Sequence, residues 1–156
     1  MASQTTIHAH RYQHFENLQL SSAEFYKLLR DLITQYDYPK VACTPVTLKE
    51  EGIFSSSRDY LRISKGRYSY FVCASPFGRS FFISWWLQEE KNTAANVARK
   101  VPVVGDALAN RLESKTYYEI DTELMFSCSV NSLIQLAVDR MKADKGYRAD
   151  MPEAAE

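Results

Sequence analysis

The chain has 156 residues, of which 46% are hydrophobic, so it can form one domain with a sizeable core. That content excludes a largely disordered protein. Lys and Arg number 19, as do Asp and Glu, so no overall charge steers the molecule towards nucleic acid or acidic membranes. The three cysteines are widely spaced, which predicts reduced thiols in the cytoplasm instead of a disulfide framework or a Cys-x-x-Cys motif.

The N-terminal region is polar and contains all three histidines, His8, His10 and His14. It has no signal-peptide pattern, and no stretch of the chain approaches the ~20 apolar residues that span a bilayer. A strand is predicted over residues 14–20. His8 and His10 would share one face of an extended segment, but a zinc site needs more ligands than these. We therefore expect no metal and no other cofactor.

A helix is predicted over residues 22–36. Ser21 and Glu24 form a capping-box pattern, and apolar residues including Leu28 follow at helical spacing, which places them on the buried side. Residues 41–48 are predicted to form a strand. Because Pro45 cannot donate to a strand ladder, this strand belongs at a sheet edge or carries a bulge.

An antiparallel meander is predicted over residues 60–88, with strands at 60–64, 68–74 and 80–88. Lys65 and Gly66 favour a tight hairpin, and residues 75–79 favour a second turn. Apolar side chains lie on both alternating faces, so each face of the sheet needs cover. Trp85 and Trp86 would point to opposite faces.

Residues 93–113 are predicted to form an amphipathic insert of two short helices, because apolar residues recur at helical spacing on either side of Pro102. A last strand is predicted at 116–120. Asp121 would then cap a long helix that ends near residue 143, with Leu124, Cys128, Leu133 and Ile134 on its buried face. Together these elements predict one α+β domain over 1–146, with about five strands and a helix at each end, followed by a disordered acidic tail at 147–156.

The meander is locally basic, since residues 52–88 contain five basic residues and one acidic residue. Aromatic residues interleave with these cations, a combination that can bind nucleic acid, acidic partners or lipid headgroups. The same cations can instead pair with neighbouring acids such as Glu89 and Glu90. Residues 65–71 do not match the RNA-recognition signature, which disfavours nucleic acid. No catalytic motif is found, which favours a non-catalytic protein over an enzyme.

The leading hypothesis is a non-catalytic interaction or regulatory module that docks a protein partner, a second copy of itself or a membrane surface. Surplus apolar surface on the sheet and the insert supports it. The alternative is a small-ligand-binding domain or enzyme with a pocket between the sheet and the C-terminal helix. A deep cavity with polar anchors would favour the ligand, and a flat apolar patch over a solid core would favour docking. The candidate binding residues are Trp85, Trp86, Tyr68, Tyr70, Arg62, Arg67, Val101, Val104 and Leu108.

Overall fold

The computed structural model describes residues 5–49, 57–90 and 116–146. In chain order these form β1 (Thr5–Phe15), α1 (Ser22–Tyr36), β2 (Ala42–Lys49), β3 (Ser57–Lys65), β4 (Tyr68–Phe77), β5 (Ser80–Glu90) and α2 (Tyr117–Asp144). The strands make one antiparallel sheet in the order β1-β5-β4-β3-β2, and both helices pack on one face of it. The predicted α+β fold, with a helix at each end of the meander, is confirmed.

The meander runs from β2 to β5, and β1 then pairs with β5, so the first and last strands are neighbours. The β3–β4 hairpin turns at Gly66 and the β4–β5 hairpin at Gly78, each with a positive φ that glycine adopts without strain. β4 continues through Phe77, so the second turn is shorter than the sequence predicted. β2 is an edge strand, as Pro45 indicated.

Helix α1 has the predicted boundaries and the predicted capping box. The Ser21 hydroxyl accepts from the Glu24 N–H at 3.1 Å, and the Glu24 carboxylate accepts from the Ser21 N–H at 3.0 Å. Leu28 was predicted to be buried and is half-buried, because it lies beside the buried stripe instead of within it. The buried residues of α1 are Phe25, Leu29, Leu32 and Ile33.

Tyr26 joins α1 to the sheet through its hydroxyl group. The oxygen accepts from the Ala74 N–H at 2.9 Å and donates to the Asp59 carbonyl at 2.6 Å. β3 and β4 are paired from Lys65, opposite Tyr68, to Leu61, opposite Val72. Asp59 and Ala74 lie just beyond this paired segment, so the Tyr26 hydroxyl bridges the two strands where their pairing ends. Burial raises the pKa of Tyr26, which keeps the hydroxyl protonated and able to donate.

The predicted strand at 116–120 is wrong, because these residues begin α2. Thr116 is the N-cap, and its hydroxyl accepts from the Glu119 N–H at 3.2 Å while the Glu119 carboxylate accepts from the Thr116 N–H. This Thr-x-x-Glu capping box outweighs the alternating pattern that suggested a strand. The predicted cap Asp121 therefore lies inside the helix.

The N-terminal strand was predicted at residues 14–20 and lies instead at Thr5–Phe15. Its backbone bonds come from β5, which is distant in sequence, so the local pattern did not reveal it. Asn17 then adopts a positive φ of 58° in the turn towards α1. The insert at 93–113 and the tail at 147–156 lie outside the described residues.

The predicted buried face of α2 is right for its C-terminal half and wrong for its N-terminal half. Leu133 and Ile134 are buried, whereas Leu124 is 54% exposed and Cys128 is also exposed. Phe126 and Val130 face the core there, because hydrogen bonds from α2 to the sheet set the rotation of the helix. No helix in the described part of the chain is long and apolar enough to cross a membrane.

Replacing Ile134 with Ala is expected to lower the free energy of unfolding by about 2–5 kcal/mol, because it leaves a cavity in a fully buried site. Leu124→Ala on the exposed side of the same helix is the control and should change it by less than about 0.5 kcal/mol. Denaturant titration of both variants measures the difference. Equal effects would show that the buried face of α2 has been assigned wrongly.

Candidate functional site

Four polar side chains on α2 form a stripe at four-residue spacing, and each bonds to a different side chain of the sheet. We call Glu123, Ser127, Asn131 and Gln135 the polar stripe. Their partners lie on β4, β5 and β1, so the helix crosses the sheet obliquely. The four contacts are Tyr68 Oη to Glu123 Oε2 at 3.2 Å, Tyr70 Oη to Ser127 Oγ at 2.9 Å, Trp85 Nε1 to Asn131 Oδ1 at 2.8 Å, and Gln13 Nε2 to Gln135 Oε1 at 2.9 Å.

Two of the predicted site residues, Tyr70 and Trp85, lie in the core and bond to the polar stripe. Tyr70 is 1% and Trp85 4% exposed, and each buries its ring while its polar tip meets α2. Burial raises the pKa of Tyr70, while its hydrogen bonds to Ser127 and Asn131 act in the opposite direction. These two aromatic residues hold the layers together, and Trp85 also lines a second cavity of about 560 Å³ beside β1 and α2.

A cavity of about 960 Å³ opens at one end of the helix layer. Its walls are the loop between α1 and β2, the β3–β4 turn and the N-terminal half of α2. The buried rings of Tyr68 and Phe126 form part of its lining, and Tyr118 and Met125 extend the apolar wall towards solvent. Of the predicted aromatic site residues, Tyr68 alone lines this cavity.

The charged groups of the cavity are mostly cationic. Lys40, Lys65 and Arg67 line it, with Glu119 as the acidic lining residue and Thr122 and Ser129 as hydroxyl groups. Arg67 pairs with Glu89 at 3.1 Å and with Glu119 at 3.9 Å, and its guanidinium lies 5.7 Å from the Tyr68 ring centroid. The predicted site residue Arg67 therefore belongs to the rim of the cavity and ties the β3–β4 turn to α2.

The sheet face opposite the helices, which we call the outer face, carries a cluster of aromatic rings. His10 stacks on Trp86 with ring centroids 3.5 Å apart, and Tyr12 stacks on Phe82 at 6.1 Å. Phe71 lies opposite Trp86 in the β4–β5 register. The prediction that Trp85 and Trp86 point to opposite faces is correct, since one is in the core and the other in this cluster.

Two of the five basic residues of the meander, Arg62 and Arg67, pair with Glu90 and Glu89, as the alternative interpretation of that region proposed. Arg62 on the outer face contacts Glu90 at 3.8 Å, donates to Ser69 at 3.1 Å and lies over the Phe71 ring. Arg58 lies close enough to the Cys73 thiol and the Tyr60 hydroxyl to act on both pKa values. The outer face therefore does not present a free array of cations.

Cys43 and Cys73 do not resemble activated nucleophiles. Burial raises the pKa of Cys43 to about 11 and also raises the pKa of Cys73, both of which disfavour the thiolate. His14 lies 3.8 Å from Glu16, while His10 stacks on Trp86, so these two histidines make separate contacts. The predicted site residues Val101, Val104 and Leu108 lie outside the described residues.

Sequence reasoning missed the polar stripe and most of the cavity lining. The signal for the stripe was present, because four polar residues at positions i, i+4, i+8 and i+12 share one face of the helix. The cavity had no such signal. Its lining residues Tyr38, Lys65 and Met125 come from three separate segments, which the fold alone brings together.

No protein-family model and no curated protein matches the chain. Among solved structures, it is similar to the di-domain ARO/CYC StfQ from the steffimycin biosynthetic pathway, with 14% sequence identity and a TM-score of 0.32. The match covers 91% of this chain and 52% of that chain, so this chain spans about half the length of that protein. At this level the similarity assigns neither a family nor a function.

Replacing Asn131 with Ala is expected to cost about 1–3 kcal/mol of unfolding free energy, because the buried Trp85 N–H loses its acceptor. Ser132→Ala, at the exposed neighbouring position, is the control. In a double-mutant cycle, Trp85→Phe should remove much of the penalty of Asn131→Ala, since no donor is then left unpaired. Strictly additive losses would show that this hydrogen bond does not couple α2 to the sheet.

Proposed function

We propose that this chain is a non-catalytic binding domain that holds a small, largely apolar molecule in the cavity between the β3–β4 turn and α2. The cavity itself is the observation that supports the proposal. Its volume of about 960 Å³ lies within the range of roughly 300–1,000 Å³ typical of small-molecule sites. Its lining combines aromatic and aliphatic walls with a few polar groups, which is the usual composition of such sites.

The exposed apolar side chains around the cavity also support a bound ligand. Tyr118 is 80% and Met125 62% exposed on the cavity side of α2. Covering such surface contributes about 25 cal/mol per Å² removed from water. A ligand seated against Phe126 and Tyr68 would therefore gain free energy by covering residues that water now contacts.

A non-catalytic role fits the chemistry of Tyr26, Cys43, Cys73 and Arg67. Tyr26, Cys43 and Cys73 are outside the lining, and Tyr26 has a structural role in the sheet. Arg67 at the rim has carboxylate partners within the protein. None of these four groups is poised as a nucleophile or a general base at neutral pH.

The aromatic outer face favours docking as a second candidate function, with a second copy of the chain as the partner. The stacked pairs of His10 with Trp86 and Tyr12 with Phe82 form a largely apolar surface, and two such sheet faces can pack about 10 Å apart. Arg62 already has Glu90 as a partner, so the face does not require an acidic protein or a lipid headgroup. These observations favour an uncharged partner surface such as the same face of another copy.

The ligand proposal predicts that filling the cavity abolishes binding. Met125→Trp should weaken the binding of an apolar fluorescent probe by about tenfold or more, because the indole occupies the space of the ligand. Leu124→Trp is the matched control, since it adds the same ring at the adjacent exposed position outside the lining. Fluorescence titration measures both affinities. Equal affinities for the two variants would contradict the assignment of the cavity as the site.

The docking proposal predicts that a charge at the outer face disrupts self-association. Tyr12→Glu should weaken a dimer by about tenfold or more, because it would bury an unpaired carboxylate. Tyr117→Glu makes the same change at an exposed position on α2 and should leave the dimer intact. Sedimentation equilibrium distinguishes the dimer from the 17.9 kDa monomer. A monomeric wild-type chain, or equal loss in both variants, would contradict self-docking.

A further inference from the structure

The three cations of the cavity differ in how far the protein itself neutralises them. Arg67 is balanced by Glu89 and Glu119. Lys65 donates to the Pro39 carbonyl at 2.7 Å, which satisfies one donor but leaves its charge uncompensated. Lys40 has no hydrogen-bond or ion-pair partner among the described residues. Two lysine charges therefore remain at one side of the cavity.

The acidic groups near the cavity have partners other than these two lysines. Glu119 accepts from the Thr116 N–H and contacts Arg67. Glu123, on the sheet side of α2, accepts from the Tyr68 hydroxyl. Neither carboxylate forms an ion pair with Lys40 or Lys65 in the described part of the chain, so the two ammonium groups are open to an anion beside the apolar wall of the cavity.

We propose that the ligand is an amphipathic molecule with a single anionic head group, which lies between Lys40 and Lys65 while its apolar body covers Met125 and Phe126. This inference rests on the proposed ligand-binding function and specifies the class of molecule. Lysine suits the role because its ammonium group carries three donors on a flexible stem, so the Lys65 amine can keep its bond to Pro39 and still bind an anion.

The two lysines come from different segments that the fold brings together. Lys40 follows α1 and has a positive φ of 59°, and Lys65 ends β3 at the hairpin. The bond from Lys65 to Pro39 holds these segments together, so the anion site and the cavity wall depend on the same contact. A cationic amphipath would meet like charges at this rim and bind weakly.

Calorimetric titration with decanoate, decanol and decyltrimethylammonium tests the head-group preference. Decanoate should bind the wild-type chain about tenfold or more tightly than either of the other two probes. In the Lys40→Met, Lys65→Met double variant the ratio of the decanoate and decanol affinities should fall to about one, whatever the loss of the bond between Lys65 and Pro39 does to both affinities. Lys65→Arg keeps the charge and should retain most of the preference. Lys49→Met, an exposed lysine on β2 outside the lining, is the control.

The outcomes separate failure of this inference from failure of the proposed function. If decanol binds as tightly as decanoate, and Met125→Trp abolishes both, the cavity is the site and the anion preference is wrong. If the double lysine variant still binds decanoate more tightly than decanol, the anion lies elsewhere and the inference is also wrong. If none of the three probes binds the wild-type chain, the ligand-binding function itself is contradicted.

Discussion

The position of α2 on the sheet depends on the polar stripe, and most features of the molecule follow from that position. An apolar helix face alone allows rotation and sliding, because apolar contacts are not directional. Four hydrogen bonds at successive four-residue steps fix both the rotation and the register of the helix. They also satisfy the polar tips of three aromatic side chains, and no buried side-chain polar atom in the described part of the chain lacks a partner.

The cavity is a consequence of the same constraint. With Glu123 turned towards Tyr68 on the sheet, the residues on the neighbouring side of α2, such as Thr122, Met125 and Ser129, face the space beside the β3–β4 turn. Helix α1 is anchored separately by Tyr26, whose hydroxyl bonds to Asp59 and Ala74 at the end of β3 and β4 that lies away from their turn. The loop that follows α1 forms the opposite wall of the cavity, so the two anchored helices leave this space between them.

The sequence predicts what depends on local patterns and fails where distant segments meet. The capping box at Ser21 and Glu24, the glycine hairpin at Gly66 and the alternation of Trp85 and Trp86 were all interpreted correctly. The strand predicted at 116–120 is wrong because the capping box of Thr116 and Glu119 starts a helix there. The N-terminal strand was misplaced because its partner, β5, is far away in sequence. The cavity could not be predicted, since its lining joins three segments whose proximity is a property of the fold.

The two proposed binding surfaces lie on opposite faces of one set of strands and can therefore operate together. On β4, Tyr68 borders the cavity on the helix side, whereas the next outward-facing apolar side chain, Phe71, belongs to the aromatic cluster. A ligand on the helix side does not obstruct a partner on the outer side. It would, however, stabilise the native sheet that the partner recognises, by about 2.7 kcal/mol at a ligand concentration 100 times the dissociation constant. Because this stabilisation acts on the fold as a whole, it would strengthen docking where the free chain is partly unfolded and leave it unchanged where the chain is fully native.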